Sequence, residues 1–115
     1  MTDDFDTLLT SLETVLHRRA PLFAKYGPGG TFDHSRKTLL AAIKNEYRVG
    51  STTRVSESSL DDMGHADPRY VQFVDDATEE RAAFALLEAD AQVLEYRLNY
   101  LRAKTYEHAQ LARLQ

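Results

Sequence analysis

The chain has 115 residues, a net charge of −4, 43% hydrophobic and 28% charged residues, and neither cysteine nor tryptophan. Its apolar content is that of a folded globular chain, which excludes wholesale disorder. The missing cysteine excludes disulfides, thiolate metal sites and thiol nucleophiles, and no apolar run approaches the roughly 18 residues of a membrane span. The length fits one helical domain, 1–115. The start, Met1-Thr2-Asp3-Asp4, is acidic where a signal peptide needs a basic region, so a cytoplasmic location is expected.

Residues 4–26 read as an amphipathic helix: Phe5, Leu8, Leu9, Leu12, Val15 and Leu16 recur at three- and four-residue spacing. Asp3, Asp4 and Asp6 stand at its start and Arg18, Arg19 and Lys25 toward its end, the polarity a helix dipole favours. Pro21 lacks a backbone donor and should either kink this helix or split off its last turn. Gly27-Pro28-Gly29-Gly30 then ends it. A second, basic helix is expected over 33–48, capped by Asp33 or Ser35, with Leu39, Leu40, Ile43 and Tyr47 as its apolar stripe. Residues 49–66 read as a link, extended or forming a short strand, followed by a short helix that Ser56 caps and Gly64 ends.

Asp67-Pro68 is a strong helix start, a capping residue followed by proline at the first helical position. From there a single helix is expected to about residue 112 or 113, because neither proline nor glycine recurs. Its seam is Tyr70, Phe73, Ala77, Phe84, Leu87, Ala91, Leu94, Leu98 and Leu101, interrupted at Glu80. Such a helix would span about 65 Å, against a gyration radius of roughly 14 Å for a compact domain of this size. The fold expected is therefore all-α, a helical hairpin or bundle with one long C-terminal helix. The first two helices are too short to cover the seam. Either Phe73, Phe84, Leu87, Leu94, Leu98 and Leu101 face another subunit of a homo-oligomer, or the long helix kinks into a three-helix bundle.

Charge is unevenly spread. Residues 34–54 carry Arg36, Lys37, Lys44, Arg48 and Arg54 against Glu46 alone, a net +4, whereas residues 55–90 carry ten acids against Arg69 and Arg81, a net −8. Lys44 and Arg48 are four apart on one helix face, beside Tyr47. Cations interleaved with an aromatic suit single-stranded nucleic acid, since cations track phosphate and the ring offers a stacking surface. Burial at the end of the apolar stripe is the alternative role for Tyr47. The candidate nucleic-acid-binding residues are thus Arg36, Lys37, Lys44, Tyr47, Arg48 and Arg54. Catalytic motifs are absent: there is no P-loop, no G-x-G-x-x-G and no G-x-S-x-G. Gly27-Pro28-Gly29-Gly30 follows a helix and lacks a downstream Lys-Ser/Thr, so it reads as a terminator and not as a phosphate loop. Asp61, Asp62 and His65 are too few ligands for a metal site, with Gly64 expected to break the helix between them. No enzyme activity, cofactor or metal is expected.

The order of features from about Arg36 to His108 resembles the phage recombination mediators related to UvsY. The resemblance rests on K-T-L-L-A-A-I-K-N-E-Y-R (Lys37–Arg48), R-V-S-E-S-S-L (Arg54–Leu60), the D-P-x-Y start at Asp67–Tyr70, and A-x-x-L-E-Y-R-L-N-Y-L-R (Ala91–Arg102). It implies a ring-forming homo-oligomer in the host cytoplasm. Such a protein binds single-stranded DNA through Lys37, Lys44, Arg48 and Arg54, with Arg36 adjacent. It helps load a recombinase onto DNA coated by a single-strand binding protein. The chain departs from that family in being acidic. Residues 1–35 do not match and can be a separate oligomerisation element.

Two function classes follow. The first is a phage mediator-like protein that binds single-stranded DNA. The second is a helical protein–protein module, a phage assembly factor or an inhibitor of a host defence protein, acting through its acidic surface. A helix-turn-helix regulator fits less well, because the strongest helix is far too long for a recognition helix.

Overall fold

A computed structural model describes residues 4–114. It is all-α: α1 is Phe5–Tyr26, α2 is Phe32–Gly50, α3 is Glu57–Ala66 and α4 is Pro68–Leu114, with no strand among the described residues. Asp3, one of the expected N-terminal acids, lies outside the described residues. Asp4 caps α1 by accepting a hydrogen bond from the Thr7 backbone N–H at 2.7 Å, and that bond lowers its carboxyl pKa. α1 continues through Pro21 without losing its last turn. The helices assort into two compact units whose boundaries fall at Pro21/Leu22 and Ala82/Ala83.

The unit formed by Leu22–Ala82 contains the end of α1, all of α2 and α3, and the first third of α4. α1 closes when the Gly27 N–H donates to the Phe23 carbonyl and the Thr31 N–H to that of Ala24. Gly29 makes this possible with φ of 72°, a left-handed conformation that costs any residue with a Cβ. α2 then starts at Phe32, one residue ahead of the expected caps. Thr31 holds the cap position without a side-chain bond, and Asp33 falls in the acid-favouring first turn. The helix also runs through Gly50 instead of stopping before it. Residues 51–56 form an irregular link without a strand, bent at Thr52 and Thr53 and extended at Ser51 and Ser56. Ser56 caps α3 by accepting from the Ser59 N–H.

The expectation that Gly64 ends α3 is corrected: the helix passes through it to Ala66. Gly64 is instead the contact point with α2. A Cβ there would stand 2.9 Å from Leu40 Cδ1 and 3.1 Å from Lys44 Cγ. The missing side chain lets the two helices approach closely over a core in which Ile43 and Leu60 are fully buried. What stops α3 is Asp67-Pro68. The Asp67 N–H closes on the Gly64 carbonyl, and the Asp67 carboxylate caps α4 at the Arg69 N–H, 2.9 Å away. Further along α4, Phe73 stacks on Phe32 with ring centroids 5.7 Å apart, and the Arg81 guanidinium lies 4.2 Å from the Phe32 centroid. Glu80, the interruption in the seam, is turned to account by Lys25, which donates to it at 3.0 Å. That bond raises the Lys25 pKa.

The other unit contains α1 up to Pro21 and α4 from Ala83. Arg102 lies over the ring of Phe5, and Arg19 donates to Glu88 at 2.8 Å, so α1 runs antiparallel to this part of α4. Leu8, Ala91 and Leu98 are buried here, Leu98 with 3% exposure, while Phe84, Leu87, Leu94 and Leu101 are half-buried. The seam read as a subunit interface is therefore covered within the chain at Leu98, and in the Leu22–Ala82 unit at Phe73. The physical reason is local: each part of α4 has a helix of its own chain laid against that face.

Candidate functional site

The residues expected to bind nucleic acid all lie on α2 and the link after it, and the fold gives four of them, Arg36, Lys44, Tyr47 and Arg48, partners on other side chains. Lys44 and Arg48 share one face because they are four apart. On α3, Glu57 and Asp61 are also four apart, and the Gly64 contact brings the two faces together. Lys44 donates to Asp61 and lies 3.4 Å from Glu57; Arg48 donates to Glu57 at 2.8 Å. The lysine side chain is only 19% exposed. Hydrogen bonding to Asp61 accordingly raises the Lys44 pKa, and Arg48 and Lys44 together lower that of Glu57. Asp61 is lowered by Lys44.

Tyr47 serves as an anchor: its hydroxyl donates to Asp67 Oδ2 at 2.8 Å and its side chain is half-buried. Asp67 is the hub of this end of the molecule. It is 5% exposed, yet its two oxygens accept from the Tyr47 hydroxyl, the Arg69 backbone N–H and the Arg69 guanidinium. Arg69 also reaches Glu46 at 2.7 Å. The Arg69 guanidinium, then its backbone N–H, holds the Asp67 carboxyl far below the usual carboxylate range. A buried carboxylate is tolerated because every direction it faces carries a donor.

Arg36 is half-buried, donating to the Tyr70 hydroxyl at 3.4 Å and lying 3.8 Å from Asp33. Of the six expected residues, Lys37 and Arg54 alone are exposed without an acidic partner among the described residues. The basic segment is thus folded against the chain's own acids, not laid out as an open cationic track. A signal for this was present in the sequence: two same-sign pairs at four-residue spacing, Lys44/Arg48 and Glu57/Asp61, on helices joined by a short link.

Carboxylates that have no ion pair among the described residues in this unit are Asp62, Asp75, Asp76 and Glu79, with Asp76 accepting only from Gln72. His65 hydrogen-bonds through Nδ1 to the Asp61 carbonyl and packs edge-on against Tyr70 at 5.1 Å. Among the described residues no three His, Asp or Glu side chains gather as metal ligands would, and no helix is long and apolar enough to cross a membrane. Comparison with protein-family models, curated proteins and solved structures gives no match.

Proposed function

We propose that this chain is a helical protein–protein interaction module that docks a basic partner through the carboxylates of its Leu22–Ala82 unit. The observation that carries the reading is the pairing of Lys44 and Arg48 with Glu57 and Asp61. It uses up the central cations of α2 and leaves the unpaired charge of α3 and early α4 mainly negative. Acidic side chains on rigid helices steer a basic protein and fix its register more than they add affinity. Asp62, Asp75, Asp76 and Glu79 are the residues assigned to that contact.

Single-stranded DNA is the competing ligand. Of the six candidate nucleic-acid residues only Lys37 and Arg54 are unpaired among the described residues, which supports at most a weak, strongly salt-sensitive association through this segment. The test is affinity capture from a cell extract at low salt. Wild type is compared with a variant carrying Asp62→Asn, Asp75→Asn, Asp76→Asn and Glu79→Gln, whose helicity is first checked by circular dichroism. A basic protein retained by wild type and lost by the folded variant supports the reading. Equal retention by both, or nuclease-sensitive retention of nucleic acid by wild type, overturns it.

A further inference from the structure

α4 carries a second apolar seam on the side away from its own chain. Within the unit that holds residues from Ala83 onward, Leu86, Ala89, Val93, Tyr96, Tyr100 and Ala103 follow one another at spacings of three, four, three, four and three. All six are exposed, Leu86 to 69%, Val93 to 49%, Tyr96 to 67% and Tyr100 to 61%. At 3.6 residues per turn this row is centred about 180° around the helix from the buried row of Ala91 and Leu98. α1 therefore packs on one side of α4, and the second row remains open. Unbroken three-four spacing is the pattern of a helix that meets another helix along its length.

We infer that this row pairs antiparallel with the same row of a second copy of the chain. Two features of the row select that occupant. The first is volume. With Val93 of one copy beside Tyr96 of the other, two-fold symmetry sets Leu86 against Ala103 and Ala89 against Tyr100. Every layer then joins a large side chain to a smaller one, the arrangement that fills a helix–helix interface. A parallel, in-register pair would stack Tyr96 on Tyr96 and Ala89 on Ala89, crowding some layers and emptying others. The second feature is charge. Between the central layers the antiparallel register brings Asp90 of each copy near Arg97 of the other, opposite charges on one flank, in addition to the contact Arg97 already makes in its own chain. The other flank brings Gln92 to Asn99, which are uncharged and able to hydrogen-bond. No like charges meet.

The test is sedimentation equilibrium of the full chain from 10 to 500 µM, on wild type and four variants. Wild type is expected to dimerise. Val93→Asp is expected to be monomeric with unchanged helicity, since that position is exposed in the single chain. Asp90→Arg and Arg97→Asp each place like charges on the flank and are expected to weaken the dimer at least tenfold. The double exchange D90R/R97D restores opposite signs and is expected to recover most of the loss. Wild type that stays monomeric at 500 µM overturns the proposal, and so does a dimer indifferent to Val93→Asp. Single exchanges without effect, or a double exchange that compounds the loss, overturn the antiparallel register. A further check uses the absence of cysteine: Ala89→Cys cross-links to itself on oxidation only in a parallel pair, so its ready cross-linking refutes the arrangement.

Discussion

Replacing Glu57 by Gln and Asp61 by Asn removes both carboxylates that hold Lys44 and Arg48. The fold should survive, because the helix contact beneath is made by Leu40, Ile43, Leu60 and Gly64 and exposed ion pairs contribute little to stability. The change is in the number of cations a phosphate backbone can meet. Within the basic segment of the wild-type chain Lys37 and Arg54 are unpaired; in the variant Lys44 and Arg48 join them, while Arg36 stays on Tyr70. For single strands the logarithm of affinity falls with the logarithm of salt at about −0.7 per neutralised phosphate, so the slope should steepen from roughly −1.4 to roughly −2.8. Between 50 and 200 mM salt that is about a 7-fold loss for the wild type and about a 50-fold loss for the variant. Fluorescence anisotropy of a labelled oligothymidylate across that range measures both. A control carrying Asp62→Asn and Glu79→Gln has the same net charge as the variant but releases no cation, and should keep the wild-type slope. A wild-type slope already near −2.8 would refute the reasoning, because the ion pairs would then open for DNA without help. Equal steepening in the control would also refute it, by assigning the effect to overall charge.

Other expectations concern stability. Leu60→Ala deletes three carbons from a fully buried side chain, about 2.4 kcal/mol of transfer free energy before any cavity is counted. The total should fall at about 2–5 kcal/mol, read from the urea midpoint at unchanged slope. Gly64→Ala sets a helix-propensity gain of about 1 kcal/mol against a 2.9 Å approach to the flexible end of Leu40, so it should be near neutral. Gly64→Val adds two branches to the same contact and should lower the melting temperature clearly. Asp67, Glu57 and Asp61 all have lowered folded-state pKa values. Their stabilisation is present above their unfolded values, near pH 4, and is lost as pH falls through the folded ones. Thermal unfolding followed from pH 7 down to 2.5 should weaken steeply below about pH 4. Asp67→Asn should flatten that limb.

Much of the fold was legible because helix signals are local. Asp67-Pro68 announced α4, Ser56 capped α3, and the glycine cluster ended α1, each by chemistry contained within a few residues. Gly64 was misread by the same local logic. Glycine is a common helix terminator, but here its missing side chain serves a contact with α2, and nothing within α3 alone reveals that Leu40 lies above it. The partners of the basic segment escape a local reading for a related reason. Counting charges by block separates residues 34–54 from 55–90, whereas folding α3 back on α2 lays one block on the other and cancels its centre.

The long helix shows the limit most clearly. A search for one seam finds the row with the larger aliphatic residues, Leu87, Leu94, Leu98 and Leu101, and such a row is the one a chain keeps for itself. The row left outside is built from Ala89 and Ala103 between Leu86, Val93 and two tyrosines. Tyrosine has an apolar body and a polar edge, and alanine adds little exposed apolar area, so this face tolerates water when alone and still packs when met. Hydrophobicity ranks the two rows correctly for burial, but it does not by itself mark the row proposed here for association. The residues that suit an interface formed only at sufficient concentration are those of intermediate character, and periodicity, not apolar weight, is what marks them.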